Sequence, residues 1–141
     1  MFFWIMVGVI GLVGLGCSTK LKSTGKWIKI STGLHYQILQ HGSGAIAANG
    51  DLVTVNYTGW LPNGTQFDSS ADHGKPFQFV LGAGEVIPGW DRGVVGMHVG
   101  EIRKLMIAPA LAYGSAGVPG TIPPNSTLTF RIHLLNISNS N

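Results

Sequence analysis

The chain has 141 residues and a formal net charge of +3, and only 11% of its residues are charged where globular domains usually carry about 25%. That length fits one domain with a short appendage and excludes a multidomain assembly, while 45% hydrophobic residues exclude wholesale disorder. Its 21 glycines follow no period of three, which excludes collagen, and the lone cysteine, Cys17, can close neither an intrachain disulfide nor a Cys-rich zinc site.

Residues 1–16, MFFWIMVGVIGLVGLG, contain no charged side chain and end at Cys17, so residues 1–17 read as an export segment. A helix of that length rises about 24 Å, short of the ~30 Å hydrocarbon core, which favours a removed signal over a stable span. Gly16 directly before Cys17 resembles the lipobox of bacterial lipoproteins, in which the cysteine is acylated. Gly14 departs from that pattern, where Leu is usual, and the basic leading residues are missing. An ordinary secretory signal and an uncleaved anchor remain open, and all three export the remainder of the chain. The expectation is an exported, periplasmic protein tethered to the membrane by lipidation of Cys17.

Residues 18–33 carry Lys20, Lys22, Lys26 and Lys29 and read as a basic flexible tether. Sixteen flexible residues reach about 20–24 Å, and each lysine beside an anionic leaflet adds about 1 kcal/mol of attraction. Beyond residue 33 five basic residues stand against six acidic ones, so the domain from 34 to 141 is nearly neutral. No basic face of the kind a nucleic-acid reader needs is visible along the chain, and no nucleic-acid partner is expected.

Within that domain period two dominates. Leu34, Tyr36 and Ile38 share one strand face, and a loop of small residues follows from Gly42 to Gly50. Val53, Val55 and Tyr57 alternate with Thr54, Asn56 and Thr58, as in a sheet with one wet face. Pro62-Asn63-Gly64 supplies a turn. The same alternation recurs in Phe77, Phe79 and Leu81, in Arg103, Leu105 and Ile107, and in Leu128, Phe130, Ile132 and Leu134. One stretch reads as helix: Pro88 suits a first position, Ile87, Trp90, Val94 and Met97 recur at spacings of three and four, and Gly96 or Gly100 can end it. So short a helix needs the sheet to hold it. The pattern predicts an α+β domain, one antiparallel sheet wrapped over one short helix.

Four segments, VNYTGWL (55–61), FDSS (67–70), KPFQFVLGAGEVIPGW (75–90) and AYGSAGVPGTIPPNSTLTF (112–130), resemble the FKBP-type peptidyl-prolyl isomerases in the same order and at matching spacing. The resemblance runs from about Gly33 to Ile137. It implies a half-barrel sheet of five or six strands curved around one helix, with a pocket between them. By the same resemblance Trp90 would floor the pocket. Tyr57, Phe77, Val86, Ile87, Ile122 and Phe130 would form its walls, with Phe67 at the rim. Asp68 and Tyr113 would be the polar groups inside, and the backbone N–H of Ile87 would receive a substrate carbonyl. Asp68, Tyr57, Trp90, Tyr113 and Phe130 are thereby the candidate catalytic residues, and Phe67, Phe77, Val86, Ile87 and Ile122 the candidate substrate-binding ones. His73 stands where a partner of Asp68 is often Arg, and Val118 and Thr121 replace larger residues, which bears on substrate preference and macrolide affinity.

The reaction so implied breaks no bond to hydrogen or carbon, so no nucleophile, metal or other cofactor is expected. The five histidines have no ligand spacing. The implied partners are proline-containing polypeptides and macrolide inhibitors. A monomer is expected, because the long dimerisation helix of some exported relatives has no counterpart. The competing reading is a non-catalytic holdase that grips proline-containing or unfolded segments in the same pocket.

Overall fold

A computed structural model describes residues 26–139 of the chain. The export segment, Cys17, Lys20 and Lys22 lie outside the described residues. Strands β1 (Ile28–Ser31), β2 (Leu34–Gln40), β3 (Asp51–Trp60), β4 (Gln66–Ser69) and β5 (Phe77–Val80) precede helix α1 (Pro88–Gly93), and β6 (Ile102–Ile107) and β7 (Leu128–Asn139) follow it. All pairings are antiparallel, in the order β1-β2-β6-β7-β3-β4. β5 shares one edge of β3 with β4, pairing with Leu52–Val55 while β4 pairs with Thr58–Trp60. Seven strands therefore stand six abreast, the expected α+β half-barrel.

One side of every long strand fills the core. Val53 and Val55 of β3, Leu105 and Ile107 of β6, and Leu128, Ile132 and Leu134 of β7 are completely buried there with Val94 and Met97. Helix α1 has six residues, starts at Pro88 and presses directly on β6. A methyl group on Gly89 would lie 2.5 Å from Ile107 Cγ2, and one on Gly93 2.7 Å from Leu105 Cδ1, so both glycines are needed for close approach. Arg103, on the core side of β6, secures the helix end. Its Nη1 donates to Gly93 O at 3.1 Å, its Nε donates to Glu101 Oε2 at 2.7 Å, and its guanidinium lies 4.2 Å from the Tyr36 ring centre. The charge is buried but fully partnered, the condition under which a buried ion is tolerated.

Two expectations are corrected. Residues 28–31, assigned to the tether, form β1 and pair with β2, Ile28 opposite Tyr36 and Lys29 opposite His35. The β-branched Ile28 and Ile30 make this a strand, with Lys29 pointing to the wet face between them. The domain also has a basic face after all. Pairing of Lys29 with His35, of Lys104 with Arg131 and of His133 with Asn56 gathers these side chains on the convex side of the sheet. A linear charge count averages over faces and cannot show this.

Among the described residues no helix is long and apolar enough to cross a membrane.

Candidate active site

The site forms where α1 crosses the concave face of the sheet beside the β3–β4–β5 edge. Trp90, on α1 and 4% exposed, is its centre. Phe130 meets the indole edge-on at 5.2 Å, Tyr57 at 5.1 Å and Phe77 at 6.0 Å. Phe67 in turn stands edge-on to Phe130 at 5.6 Å. Edge-to-face packing suits the ring quadrupoles and fixes each ring against the next. The cleft so framed holds about 220 Å³ and is lined by Tyr57, Phe67, Asp68, Phe77, Glu85, Val86, Ile87, Trp90, Tyr113 and Phe130. That open cleft suits one ring with its flanking groups, the rest of a ligand lying outside it.

Gly59 of β3 makes this ring arrangement possible. A methyl group there would stand 2.7 Å from both Phe130 Cε1 and Phe67 Cζ, so the two rings use the space of the missing side chain.

The polar wall is Asp68. Its Oδ2 accepts from Tyr57 Oη at 2.7 Å, and its Oδ1 accepts from Ser69 N at 2.8 Å and contacts His73 Nε2 at 3.0 Å. The turn-capping role that an Asp in FDSS suggests is thus fulfilled towards Ser69 alongside the role in the cleft. His73 occupies the 3₁₀ turn Ser70–His73, which brings it back over β4. Burial, and then the hydrogen bond to the Asp68 carboxylate, push the Tyr57 phenol well above the usual tyrosine range. Burial, and then the charge of Asp68, raise Tyr113 as well. Both phenols are therefore proton donors at neutral pH. Tyr113 follows the 3₁₀ turn Pro109–Leu111 and is 40% exposed at the mouth of the cleft.

The segment leading into α1 supplies the opposite wall. Ile87 is the N-cap residue, in extended conformation, and its carbonyl accepts from Trp90 N at 2.9 Å and Asp91 N at 3.2 Å. Among the described residues its own N–H has no acceptor, and it borders the cleft. Asp91 holds the preceding loop, its Oδ1 and Oδ2 accepting from Gly82 N at 2.9 Å and Gly84 N at 3.0 Å. Sequence reasoning missed this clamp and the place of Glu85, although a carboxylate one helical turn inside the Pro88 start is a signal for it.

The structure thus brings together every expected site residue that it describes except one. Ile122 is 5% exposed and belongs to the core cluster, not to the cleft lining. The loop before β7 folds on itself, with Ile122 N donating to Val118 O and Val118 N to Ile122 O, both at 2.8 Å, and this turns the isoleucine inward. Cys17, the expected lipidation site, lies outside the described residues. Among the described residues no group of three or more His, Cys, Asp or Glu side chains is arranged to hold a metal ion.

The sequence pattern of the FKBP-type peptidyl-prolyl cis-trans isomerases matches residues 44–135. The peptidyl-prolyl cis-trans isomerase Fkbp12 of Drosophila melanogaster is 60% identical over 89 residues, which is 63% of this chain and 82% of the fly protein. FK506-binding protein 2 of Yarrowia lipolytica is 51% identical over 114 residues, 81% of this chain and 79% of its own. An FK506-binding protein of Neisseria meningitidis serogroup B is 50% identical over 105 residues, 74% of this chain and 96% of its own. With the family pattern running through the sheet, the helix and the cleft between them, this chain belongs to the FKBP-type peptidyl-prolyl cis-trans isomerases, enzymes that rotate the peptide bond preceding proline.

Proposed function

We propose that the enzyme accelerates X-Pro rotation in extracytoplasmic proteins by binding the proline ring over Trp90, while Cys17 carries a lipid that keeps it at the membrane. The observation that carries the reading of the cleft is the indole floor ringed by Tyr57, Phe77 and Phe130, with the Asp68 carboxylate held against Tyr57 in its wall.

Rotation about an X-Pro bond faces a barrier of ~18–20 kcal/mol because twisting destroys amide resonance. A gain of about 10⁴- to 10⁵-fold, needed to reach milliseconds, corresponds to roughly 6–7 kcal/mol. The planar amide is the more polarised form, with charge drawn onto oxygen, and the twisted form localises the lone pair on nitrogen. A cleft walled by aromatic side chains solvates the planar form poorly, so the difference favours the twisted one. Holding the proline still while the preceding carbonyl swings adds orientation. The unpaired Ile87 N–H is placed to receive a carbonyl of the substrate chain, and the protonated Tyr113 hydroxyl a second. Asp68, held on three sides, sets the negative wall past which the moving carbonyl turns.

The names of the yeast and bacterial relatives state FK506 binding for those proteins, and the same cleft supports macrolide binding here. The purified chain is tested in proline-limited refolding with and without FK506. The reading expects faster refolding that the macrolide abolishes. Refolding at the spontaneous rate with suppressed aggregation would replace it with the holdase. The tether is tested separately by fatty-acid labelling in cells, expected for the natural chain and absent after Cys17→Ala.

A further inference from the structure

Strand alternation sorts the charges of this domain onto two sides. On the convex face Lys29 stands opposite His35, Lys104 opposite Arg131, and His133 opposite Ile102 and Asn56. None of the six carboxylates of the chain occupies a strand position there. Asp68 and Glu85 line the cleft, Asp91 is on α1, and Glu101 is buried against Arg103. Asp51 opens β3 on the core-side register and accepts from Ala48 N, and Asp72 sits in the 3₁₀ turn at the sheet edge. The ion pairs among the described residues are His73–Asp68, His98–Glu101 and Arg103–Glu101, and none uses a cation of the convex face. Like charges directly opposite on neighbouring strands repel, so the Lys104–Arg131 pair costs stability with no internal compensation. His133 feels the same field: burial, and then the charge of Arg131, hold its pKa below the usual histidine range.

We propose that this convex face rests on an anionic bilayer surface, so that the cleft, on the other side of the sheet, faces away from the membrane. Two features select a bilayer over other polyanions. Trp60 and Met106 lie in the same cross-strand row as Lys29 and His35, and tryptophan among cations suits the headgroup region. The chain also enters the sheet at β1, on which Lys29 lies, only ten residues (18–27) after Cys17. Ten residues span at most about 33–36 Å even when fully extended, so an N-terminal segment in the membrane keeps β1 close to it. This part of the argument rests on the membrane-tether reading above.

The test adds full-length protein to vesicles of phosphatidylcholine alone or of phosphatidylcholine with phosphatidylglycerol, separates bound protein by flotation, and measures lysine acetylation by mass spectrometry. Lys75, exposed beside the cleft, is the internal reference. The expected result is that Lys29 and Lys104 become several-fold less reactive than Lys75 on anionic vesicles and not on neutral ones, and recover their reactivity in high salt. Each cation near such a surface strengthens partitioning about fivefold, so Lys104→Gln with Arg131→Gln should lower the anionic-over-neutral preference about 25-fold while leaving the isomerase rate unchanged. Flotation on both vesicles with Lys104 as reactive as Lys75 would leave the tether and overturn the face. Flotation on anionic vesicles only, with Lys104 protected, would keep the face and overturn the tether. Flotation on neither, or protection of Lys104 by a short nucleic-acid duplex and not by vesicles, would overturn the proposal.

Discussion

Tyr57 Oη donates a 2.7 Å hydrogen bond to Asp68 Oδ2 while the Tyr57 ring stands edge-on to Trp90 at 5.1 Å. One side chain thereby ties the carboxylate wall of the cleft to its aromatic floor. Tyr57→Phe keeps the ring and removes the bond, leaving Asp68 to Ser69 N and His73. Charged hydrogen bonds contribute roughly 1.5–3 kcal/mol when buried, and Asp68 is half-exposed, so urea denaturation should show a loss of about 1 kcal/mol. Isomerase kcat/KM should fall more than stability alone explains, with the folded fraction checked by circular dichroism. An unchanged kcat/KM would mean that the carboxylate needs no anchoring by this phenol.

Trp90→Leu separates floor from scaffold. The indole N–H is buried without a hydrogen-bond partner, so the substitution breaks no bond and relieves an unsatisfied donor. The loss of ring contacts remains, and the net cost in stability should be about 1–3 kcal/mol. Catalysis should suffer far more, by at least tenfold in kcat/KM, while Trp90→Phe recovers part of it. Equal activity of the leucine variant and the natural enzyme in a peptide isomerisation assay would remove the indole from the mechanism.

Gly59→Ala inserts a methyl group where Phe67 and Phe130 converge, 2.7 Å from a carbon of each. Overpacking of this kind costs about 1–3 kcal/mol. Both rings border the cleft, so KM for a proline peptide should rise along with the fall in thermal midpoint. A variant with a lowered midpoint and an unaltered KM would show that the rings yield away from the substrate.

His133 makes stability depend on pH in a defined direction. Its folded pKa lies below the ordinary value of about 6.5, because burial and then Arg131 disfavour the imidazolium. The unfolded chain therefore takes up the proton first as the pH falls. The stability due to neutral His133 is complete above about pH 6.5 and declines below it, until the folded histidine also protonates. Urea midpoints measured from pH 8 to 5.5 should fall in the natural chain and fall less in His133→Gln. Arg131→Gln should lessen the decline by removing the second cause. Parallel curves for all three chains would assign the acid sensitivity elsewhere.

The long strands were legible because their apolar positions recur at period two, as in Leu128, Phe130, Ile132 and Leu134, and the helix was legible in its start at Pro88, whereas it ends at Gly93, before the Gly96 or Gly100 that the spacing of Trp90, Val94 and Met97 suggests. Asp68 and its neighbours were legible only through the ordered motifs, since an Asp followed by two serines reads alone as a turn. Strand β1 was hidden by Lys29 and the basic stretch that precedes it, and β4 by having only four residues. Ile122 was misplaced because its direction depends on how the loop from Tyr113 closes on itself, which no local periodicity encodes. The basic face was invisible because it exists only once strands distant in the chain are laid in register.

Strand β7 lies between β6 and β3, in the middle of the sheet, yet it is the last of the described elements to be synthesised. Until it arrives, β3 and β6 have no strand to join them, and β1–β6 remain two unconnected sheets. Folding therefore waits for translation to pass Leu128, and the nascent chain stays open and threadable for longer than a protein built from neighbouring hairpins would.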